Sequence, residues 1–576
     1  YITQIAFSGA TEFLEKYKDK TDQDQIIGHF GLGFYSAFMV ADKVTIDTLS
    51  YKEGSKPVHW ESEGGLTFEM KDGEKAEQGT TITLYLNEDS YEFSNEYRAR
   101  EVLEKYCSFM PVPIFLNNEK AEPQYETIEK DELTDKDTII ETIVEPAKTE
   151  EKENENGEKE TVETEPAKEK YKILKRPVAL NDTTPLWSKH PNECTDEEYR
   201  DFYRKVFHDY KEPLFWIHLN MDYPFNLKGI LYFPKINTEY DSIEGTIKLY
   251  NNQVFIADNI KEVIPEFLML LKGVIDCPDL PLNVSRSALQ NDGFVKKISD
   301  YITKKVADKL SGMFKTDREN YEKYWDDINP FIKFGCLKDE KLAEKMNDYI
   351  LFKNLDGKYL TLKDCLEENK EKHENTVFYV TDEKEQSQYI NMFKKEGLDA
   401  VILPHSIDSP FIGHLEQKNE GLKFLRIDAD LNSTFKEEVK EDDEEFKKTS
   451  ETLTETFKKA LGNDKLEIKV EKLKDENISS MLTVSEETRR MQDMMKMYNM
   501  YGMDPSMFGG AGETLVLNAN NKLVQYVLNH GDGENTNKIC EQLYDLALLA
   551  HGSLSPERMT GFVARTNEIM MMLAEK

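Results

Sequence analysis

The sequence predicts a multidomain α+β protein, because strand and helix signals occur in different regions of a long chain. At 576 residues the chain is several times the length of a usual domain. Residues 81–86 alternate Thr or Tyr with Ile or Leu, which predicts a half-buried strand. Residues 535–576 instead carry apolar residues at helical spacing. We therefore expect separate mixed and helical domains.

The charge balance and residue usage exclude several classes of protein. The chain has 74 basic and 110 acidic residues, a net charge of −36, so it lacks the basic footprint of nucleic-acid binders. No apolar stretch approaches the roughly 18 residues that indicate a membrane helix. The six cysteines form no Cys-Xaa-Xaa-Cys pair, and the ten histidines lack metal-ligand spacing. We expect a cytoplasmic protein with reduced thiols, and neither nucleic acid nor membrane as a partner.

Composition divides the chain into four regions. Residues 119–170 carry 19 acidic and 8 basic residues and few apolar ones, so they cannot offset the entropy of ordering and are predicted to be a disordered acidic linker. The flanking regions are rich in apolar runs. Strand patterns occur at 229–234, 247–256, 377–380 and 401–403. The predicted domain boundaries are 1–118, 119–176, 177–430 and 431–576, with a smaller α/β unit at about 345–430.

Two helical patterns close the chain. Ser555 is a typical N-cap, Pro556 suits the first helical position, and Glu557 suits the positive end of the helix dipole. Two short amphipathic helices have little to pack on alone, so we expect a hairpin that completes its core with a partner. The apolar faces consist of Ile539, Leu543, Leu546, Ala547 and Ala550, followed by Met559, Phe562, Val563, Ile569, Met570 and Leu573.

A glycine-rich stretch, Gly28-His29-Phe30-Gly31-Leu32-Gly33-Phe34, precedes a predicted helix over 34–41. Glycines let the backbone approach a ligand closely, and exposed N–H groups at a helix start form an anion site. The stretch is not a Walker A loop, because no Gly-Lys-Ser/Thr follows. The alternative interpretation is a glycine-rich turn without a ligand.

The order of motifs resembles the heat-shock protein 90 chaperones, members of the gyrase and histidine-kinase ATPase superfamily, in their bacterial form. The resemblance covers essentially the whole chain outside the acidic linker. It implies part of a gyrase-type ATPase domain, with helices on a mixed, mainly antiparallel sheet, then an α/β middle domain and a helical dimerisation domain. The motifs are Ile5-Ala6-Phe7-Ser8-Gly9-Ala10, the glycine-rich stretch, 79–84, 180–187, 248–256 and Asp279-Leu280-Pro281-Leu282-Asn283-Val284-Ser285-Arg286.

The resemblance implies roles for individual residues in ATP binding and hydrolysis, with Mg²⁺ as the accompanying ion. Arg286 is expected to reach the terminal phosphate from the middle domain, with Asn283 and Gln290 beside it. A guanidinium suits that task because it is a planar, permanently charged fork. Without the resemblance, a structural ion pair is the simpler interpretation of Arg286. The implied ATP-binding residues are Ser8, Gly28, Gly31, Gly33, Phe34 and Thr80.

The chain departs from the family pattern at several positions. Phe7 stands where a basic residue is usual, His29 replaces a glutamine, and Ser287 replaces a glutamate. The resemblance also places the general-base glutamate, the magnesium-binding asparagine and the adenine-binding aspartate before Tyr1. We therefore expect ATP hydrolysis by a longer parent protein and not by these residues alone.

A methionine-rich segment is the candidate client-binding surface. Met491, Met494, Met495, Met497, Met500, Met503 and Met507 lie close together in the sequence, with Tyr498 and Tyr501 among them. Methionine is flexible and common on promiscuous binding surfaces. Core packing is the alternative. The tentative client-binding residues are Met494, Met497, Met500, Tyr501 and Trp187, although packing in the middle domain is the favoured interpretation of Trp187.

The resemblance implies a homodimer through residues 535–576 that binds partly folded client proteins. The chain ends Met572-Leu573-Ala574-Glu575-Lys576, without the acidic tail that recruits tetratricopeptide co-chaperones, which favours a bacterial cytoplasmic protein. Two other classes remain open. A related ATPase that acts on DNA is disfavoured by the net charge of −36. A binding scaffold with an inactive nucleotide pocket stays open because of Phe7.

Overall fold

The fold is given by a computed structural model of the chain. It forms two compact units: residues 1–234, 244–264 and 271–298 make the first, and residues 235–243, 265–270 and 299–576 the second. The structure describes residues 2–3, 9, 31–65, 67–145, 148–153, 159–165, 168–235, 245–259, 263–280, 293–368, 370–371, 373–429, 435–437, 443–485, 490, 513–531, 533–550 and 554–574.

The first unit begins with a 3₁₀ helix and a four-stranded sheet. The predicted helix over 34–41 is wrong in type and extent, because the 3₁₀ helix spans Gly33–Met39 and a strand begins at Ala41. Phe34 and Phe38 pack on Val44, Ile46 and Trp60. The sheet order is β3-β2-β1-β4. Its strands are β1 (Ala41–Leu49), β2 (Val58–Ser62), β3 (Glu69–Asp72) and β4 (Gly79–Leu86).

The strand predicted at 81–86 is confirmed, but its predicted burial is wrong. Ile82 and Leu84 on β4 are 52% and 41% exposed. They lie opposite Ile46 and Val44 of β1, on the sheet face that Phe34 and Phe38 cover only near β1 and β2. Alternation therefore identified the strand and its apolar face. At β4, however, this apolar face is left uncovered by the described part of the chain, and the alternation of residue types does not reveal that.

Helix α1 (Glu96–Cys107) follows, with the Asn95 side chain accepting from the Tyr97 N–H at its start. The segment after α1 is joined to the segment that re-enters the unit after the acidic region. Asn181 accepts from the Ile114 N–H at 2.7 Å and donates to the Met110 and Val112 carbonyls at 2.8 and 2.7 Å. The Leu180 N–H also donates to the Ile114 carbonyl. These bonds close the base of the acidic region.

The disorder predicted for the acidic linker is wrong for its described residues, which form strands. β5 (Tyr125–Glu129), β6 (Ile139–Glu145) and β9 (Lys168–Leu174) form one sheet, and β7 (Lys148–Glu153) pairs with β8 (Lys159–Glu165). The net charge of the segment does not reveal this strand pairing, because it does not show which acidic and basic residues face each other in the sheet. Lys170 binds Glu145 at 2.9 Å and Lys130 binds Glu169 at 2.8 Å, while Ile173 is fully buried.

A five-stranded sheet and a helix form the rest of the first unit. The strand order is β10-β11-β14-β12-β13. The single strand predicted at 247–256 is two strands, because Asn252 and Gln253 have positive φ and form a hairpin turn. The elements are α2 (Asp196–Phe207), β10 (Phe215–Met221), β11 (Leu227–Phe233), β12 (Ile247–Asn251), β13 (Val254–Asp258) and β14 (Lys272–Asp276).

The second unit contains an α/β sheet, in the order β16-β15-β18-β17-β19, and its helices. The strands predicted at 377–380 and 401–403 are confirmed. The elements are α3 (Gly293–Thr316, from Ser299 in this unit), α4 (Arg318–Lys338), α5 (Glu340–Met346), β15 (Leu351–Asn354), β16 (Tyr359–Thr361), α6 (Leu362–Glu368), β17 (Thr376–Val380), α7 (Ser387–Lys395), β18 (Val401–Ile402), α8 (Asp408–Lys418) and β19 (Lys423–Arg426).

The end of the second unit is a small sheet packed with helices. β22 lies between β20 and β21, and its Leu515 and Leu517 share a core with Phe457, Leu543 and other buried residues. The two predicted terminal helices are confirmed. The elements are α9 (Glu444–Leu461), β20 (Glu467–Glu471), β21 (Ser480–Val484), β22 (Glu513–Asn518), α10 (Lys522–His530), α11 (Glu534–Leu549) and α12 (Pro556–Ala574).

Candidate functional site

Three of the predicted ATP-binding residues lie together at the start of the 3₁₀ helix. Gly31 has φ +64°, a left-handed conformation that a residue with a Cβ rarely adopts. At Gly33 a Cβ would meet nothing within 4 Å, so the chain itself does not require glycine there. The Phe34 ring packs edge-on against Trp60, which leaves its backbone as the part able to contact a ligand. The glycine conformation therefore fits a backbone cradle at Gly31.

Thr80 lies in β4, and its contacts are with β1. Its hydroxyl is 2.8 Å from the Thr48 hydroxyl, directly across the strand pair. Among the described residues, no recorded hydrogen bond joins Thr80 to Gly31, Gly33 or Phe34. Thr80 is exposed, so its side chain can reach solvent or a ligand. Ser8 and Gly28 lie outside the described residues.

The predicted catalytic residues Asn283, Arg286 and Gln290 also lie outside the described residues, but the chain leading to them is described. After β14, the Asn251 amide donates to the carbonyls of Cys277 and Pro278 at 3.1 and 2.9 Å. The Asp279 carboxylate accepts from the Asn226 N–H at 2.7 Å. Hydrogen bonds within the first unit therefore hold the chain in place up to Asp279.

Asp276, at the end of β14, is a buried acid that the sequence analysis missed. Its Oδ2 accepts from the Trp187 indole N–H at 3.2 Å and from the Gln253 N–H at 3.0 Å. Its Oδ1 is buried, and no residue in the described part of the chain forms a hydrogen bond with it. Burial is the main cause that raises the pKa of Asp276 above its usual value. The signal available in the sequence was an aspartate ending an apolar strand pattern, which also fits an exposed strand end.

Trp187 is a packing residue, so the tentative client-binding role given to it is wrong. Its side chain is 1% exposed and contacts the rings of Phe109, Phe202 and Tyr250. The other tentative client-binding residues, Met494, Met497, Met500 and Tyr501, lie outside the described residues.

Helix α12 presents apolar side chains to solvent. None of its residues Pro556–Ala574 is buried. On α11, by contrast, Leu543 and Ala547 are buried in the core, while Leu546 is 44% exposed. The exposed apolar residues of α12 are Met559, Val563, Met570, Met571, Met572 and Leu573, which are 39–69% exposed.

The described part of the chain contains no group of His, Cys, Asp or Glu side chains arranged to hold a metal ion. Its helices include none that is long and apolar enough to cross a bilayer. Within the described ranges, the left-handed Gly31 is the feature of this site that suits a nucleotide.

Comparison with known proteins decides the family. The family model described as Hsp90 protein matches residues 92–575. The chain belongs to the Hsp90 family. A chaperone protein HtpG from Bacteroides fragilis strain YCH46 is 42% identical over 541 residues, which cover 92% of this chain and 72% of the relative. HtpG from Porphyromonas gingivalis strain ATCC 33277 is 38% identical over 541 residues, which again cover 92% of this chain and 72% of the relative.

More distant relatives align with nearly the whole chain. HtpG from Borrelia garinii subsp. bavariensis is 31% identical over 580 residues, covering 98% of this chain and 85% of the relative. The family predicted from the motifs and the predicted α+β multidomain fold class are therefore both confirmed for this Hsp90 chain. It is related throughout most of its length to bacterial proteins named as chaperones.

Proposed function

We propose that this Hsp90 chain is part of an ATP-driven, homodimeric chaperone of the bacterial cytoplasm that binds and remodels client proteins. The observation that carries the proposal is the 42% identity to a chaperone over 92% of the chain, together with the Hsp90 family match over residues 92–575, which includes both terminal helices. The left-handed Gly31 supports a nucleotide cradle, and the exposed apolar residues of α12 support a protein partner. We also retain the domain boundaries 1–118, 119–176, 177–430 and 431–576.

The proposed nucleotide site divides binding from turnover. Gly28, Gly31, Gly33, Phe34, Ser8 and Thr80 bind ATP, mainly through backbone donors. ATP, bound with Mg²⁺, would supply the phosphoryl group that is transferred to water. Arg286 stabilises the charge that develops on that group, and Asn283 and Gln290 orient it. The proposed boundaries place Arg286 in the 177–430 domain and the glycine-rich stretch in the 1–118 domain, so the proposed contact of Arg286 with the phosphate depends on closure.

Substitution of Arg286 tests this division. In the protein with the family's whole N-terminal domain, Arg286→Ala should lower kcat by about tenfold or more and leave calorimetric ATP binding nearly unchanged. Arg286→Lys should recover part of the loss, because an ammonium cannot replace the bidentate fork. Arg204→Ala is the control, since Arg204 is a surface arginine paired with Asp201 and Glu212. If Arg286→Ala keeps full turnover or no longer binds ATP, the role proposed for Arg286 is contradicted. If the parent protein itself binds no ATP, the alternative of a binding scaffold with an inactive nucleotide pocket is favoured.

The proposed dimer forms through α12 and the exposed side of α11. Covering exposed apolar residues with a second copy removes their surface from water, which stabilises the dimer. Deleting everything from residue 535 is a poor test, because Cys540 and Leu543 of α11 are buried in the core. Met559, Val563 and Met570 form an exposed apolar stripe on α12. Val563→Glu places a charge in that stripe. Sedimentation should show monomers for Val563→Glu and dimers for Glu557→Gln; a Val563→Glu dimer contradicts the proposed interface.

The proposed client surface is the methionine-rich segment. Replacing Met494, Met497 and Met500 together by Gln should weaken suppression of client aggregation and preserve ATP turnover. Core packing of these residues predicts instead a loss of thermal stability.

A further inference from the structure

Helix α12 is attached to α11 by a buried carboxylate. The side chain of Asp545 on α11 is 3% exposed. It accepts a hydrogen bond from Arg558 Nε at 3.1 Å and another from Arg565 Nη2. The two arginines lie two turns apart on α12, so one acid binds the helix at two levels. The Arg558 guanidinium also lies over the ring of Tyr544, a core residue, 4.7 Å from its centroid.

Other polar contacts between the two helices surround Asp545. Arg565 Nη1 also binds Glu541 at 2.9 Å, Gln542 donates to the Thr566 hydroxyl at 3.0 Å, and Lys538 binds Glu568 at 3.0 Å. Gly561 leaves room for this arrangement, since a Cβ there would lie 3.3 Å from Arg565 Nη1. The network therefore extends along several turns of α12.

This network contrasts with the apolar residues of α12. None of them is buried, although Phe562 and Ile569 are half-buried. Apolar burial has little directional preference, whereas charged hydrogen bonds to a buried carboxylate fix distance and orientation. The polar network therefore determines how α12 is rotated and tilted on α11, and hence which side its exposed stripe faces.

We propose that Asp545 is the positioning residue of the dimer interface: through Arg558 and Arg565 it orients α12 so that Val563, Met559 and Met570 meet the same face of a second copy of this chain. This inference rests on the proposed dimer. A symmetric interface requires each copy to present the same patch in the same geometry, so a helix free to rotate would form it poorly.

The test compares Asp545→Asn with the wild-type chain at full length. The amide keeps the shape of the side chain and removes the charge that both arginines bind. We expect the dimer dissociation constant, measured by sedimentation over a dilution series, to rise by about tenfold or more, the effect typical of losing charged hydrogen bonds. Because the amide leaves the charges of Arg558 and Arg565 unpaired beside the core, the urea midpoint of dilute monomer should also fall, and the dissociation constants are therefore compared without urea, where both chains are folded. Glu557→Gln, an acid-to-amide change on exposed α12, should alter neither quantity.

Two further variants separate the possible failures. If Val563→Glu is monomeric and Asp545→Asn dimerises within twofold of the wild type, the positioning role is overturned and the proposed interface stands. If Val563→Glu still dimerises, the interface itself is wrong. The double variant Arg558→Gln/Arg565→Gln removes the same contacts from the unburied helix. It should weaken the dimer even if Asp545→Asn fails to fold, and an unchanged dissociation constant there overturns the proposal.

Discussion

Ile46 of β1 and Ile82 of β4 lie directly opposite each other in the first sheet, yet Ile46 is 3% exposed and Ile82 is 52% exposed. Phe34 and Phe38 cover the face at β1 and not at β4. Two chemically identical side chains on one sheet face therefore make very different contributions to stability.

This pair gives the first prediction. Ile46→Ala should lower the free energy of unfolding by about 2–4 kcal/mol, because it leaves a cavity in a packed cluster. Ile82→Ala should cost about 1 kcal/mol or less, since most of its surface already contacts water. Urea unfolding of both variants followed by fluorescence measures the difference. Equal losses would mean that the β4 side of the face is covered in solution.

The acidic region gives the second prediction. Glu145 of β6 and Lys168 of β9 are directly opposite each other, so residues 146–167 can be replaced by Asn-Gly to make a tight hairpin. Thermal stability should change by about 2 °C or less, and the amides of 139–145 and 168–174 should remain protected from exchange. Ile173→Ala, at a fully buried position in β9, is the destabilising control. Rapid exchange throughout 139–145 in the wild type would instead support the disorder predicted from composition.

The third prediction concerns a buried ion pair in the second unit. Lys333 and Asp408 bind each other with both side chains 3% exposed, and the His405 N–H donates to Asp408 at 2.9 Å. Lys333→Met should destabilise the unit by about 3–5 kcal/mol, because it leaves the carboxylate buried and unpaired. Adding Asp408→Asn should recover much of that loss.

An exposed ion pair provides the matched control. Lys353 and Asp326 are 3.0 Å apart, with side chains 37% and 57% exposed. Lys353→Met should cost about 1 kcal/mol or less. Urea unfolding of the four chains completes the comparison, and a Lys333→Met loss as small as that of Lys353→Met would show that Asp408 is solvated.

The fourth prediction concerns pH. Burial raises the folded-state pKa of Asp276, so between the unfolded pKa of about 4 and the folded value the native state binds the extra proton. The stability that this proton gives is complete below about pH 4 and is lost as pH rises through the folded pKa. The Asp276→Asn variant should therefore gain stability relative to wild type from pH 4 to pH 7.5. Asp258→Asn, at an exposed strand end, is the control; a pH-independent difference for Asp276→Asn would contradict the assignment.

The sequence was most informative where a single element determines its own pattern. Alternation located β4, and the Ser555-Pro556 start located α12, whose Arg558 N–H is capped by the Ser555 hydroxyl at 3.3 Å. Composition failed in the acidic region, because Lys170 and Glu145 are 25 positions apart and their pairing is a property of the folded sheet. Burial of Trp187 and the Asp545 network likewise depend on residues distant in sequence. Motif resemblance placed the family correctly, while the catalytic roles of Arg286, Asn283 and Gln290 stay predictions.

The bonds of Asn181 have a mechanical consequence. The chain between Ile114 and Leu180 would have a contour length of roughly 220–240 Å if fully extended. Asn181, the Leu180 N–H and the Asp182 N–H bind the segment from Ser108 to Ile114, and Phe109 packs against Trp187. A pulling force applied to α1 and β10 is therefore borne by these contacts and not by the chain between them. Under tension the base must break before any of the stored length is released. The charged strands thus carry no tension while the base holds, and Asn181→Ala should lower the force at which the base breaks.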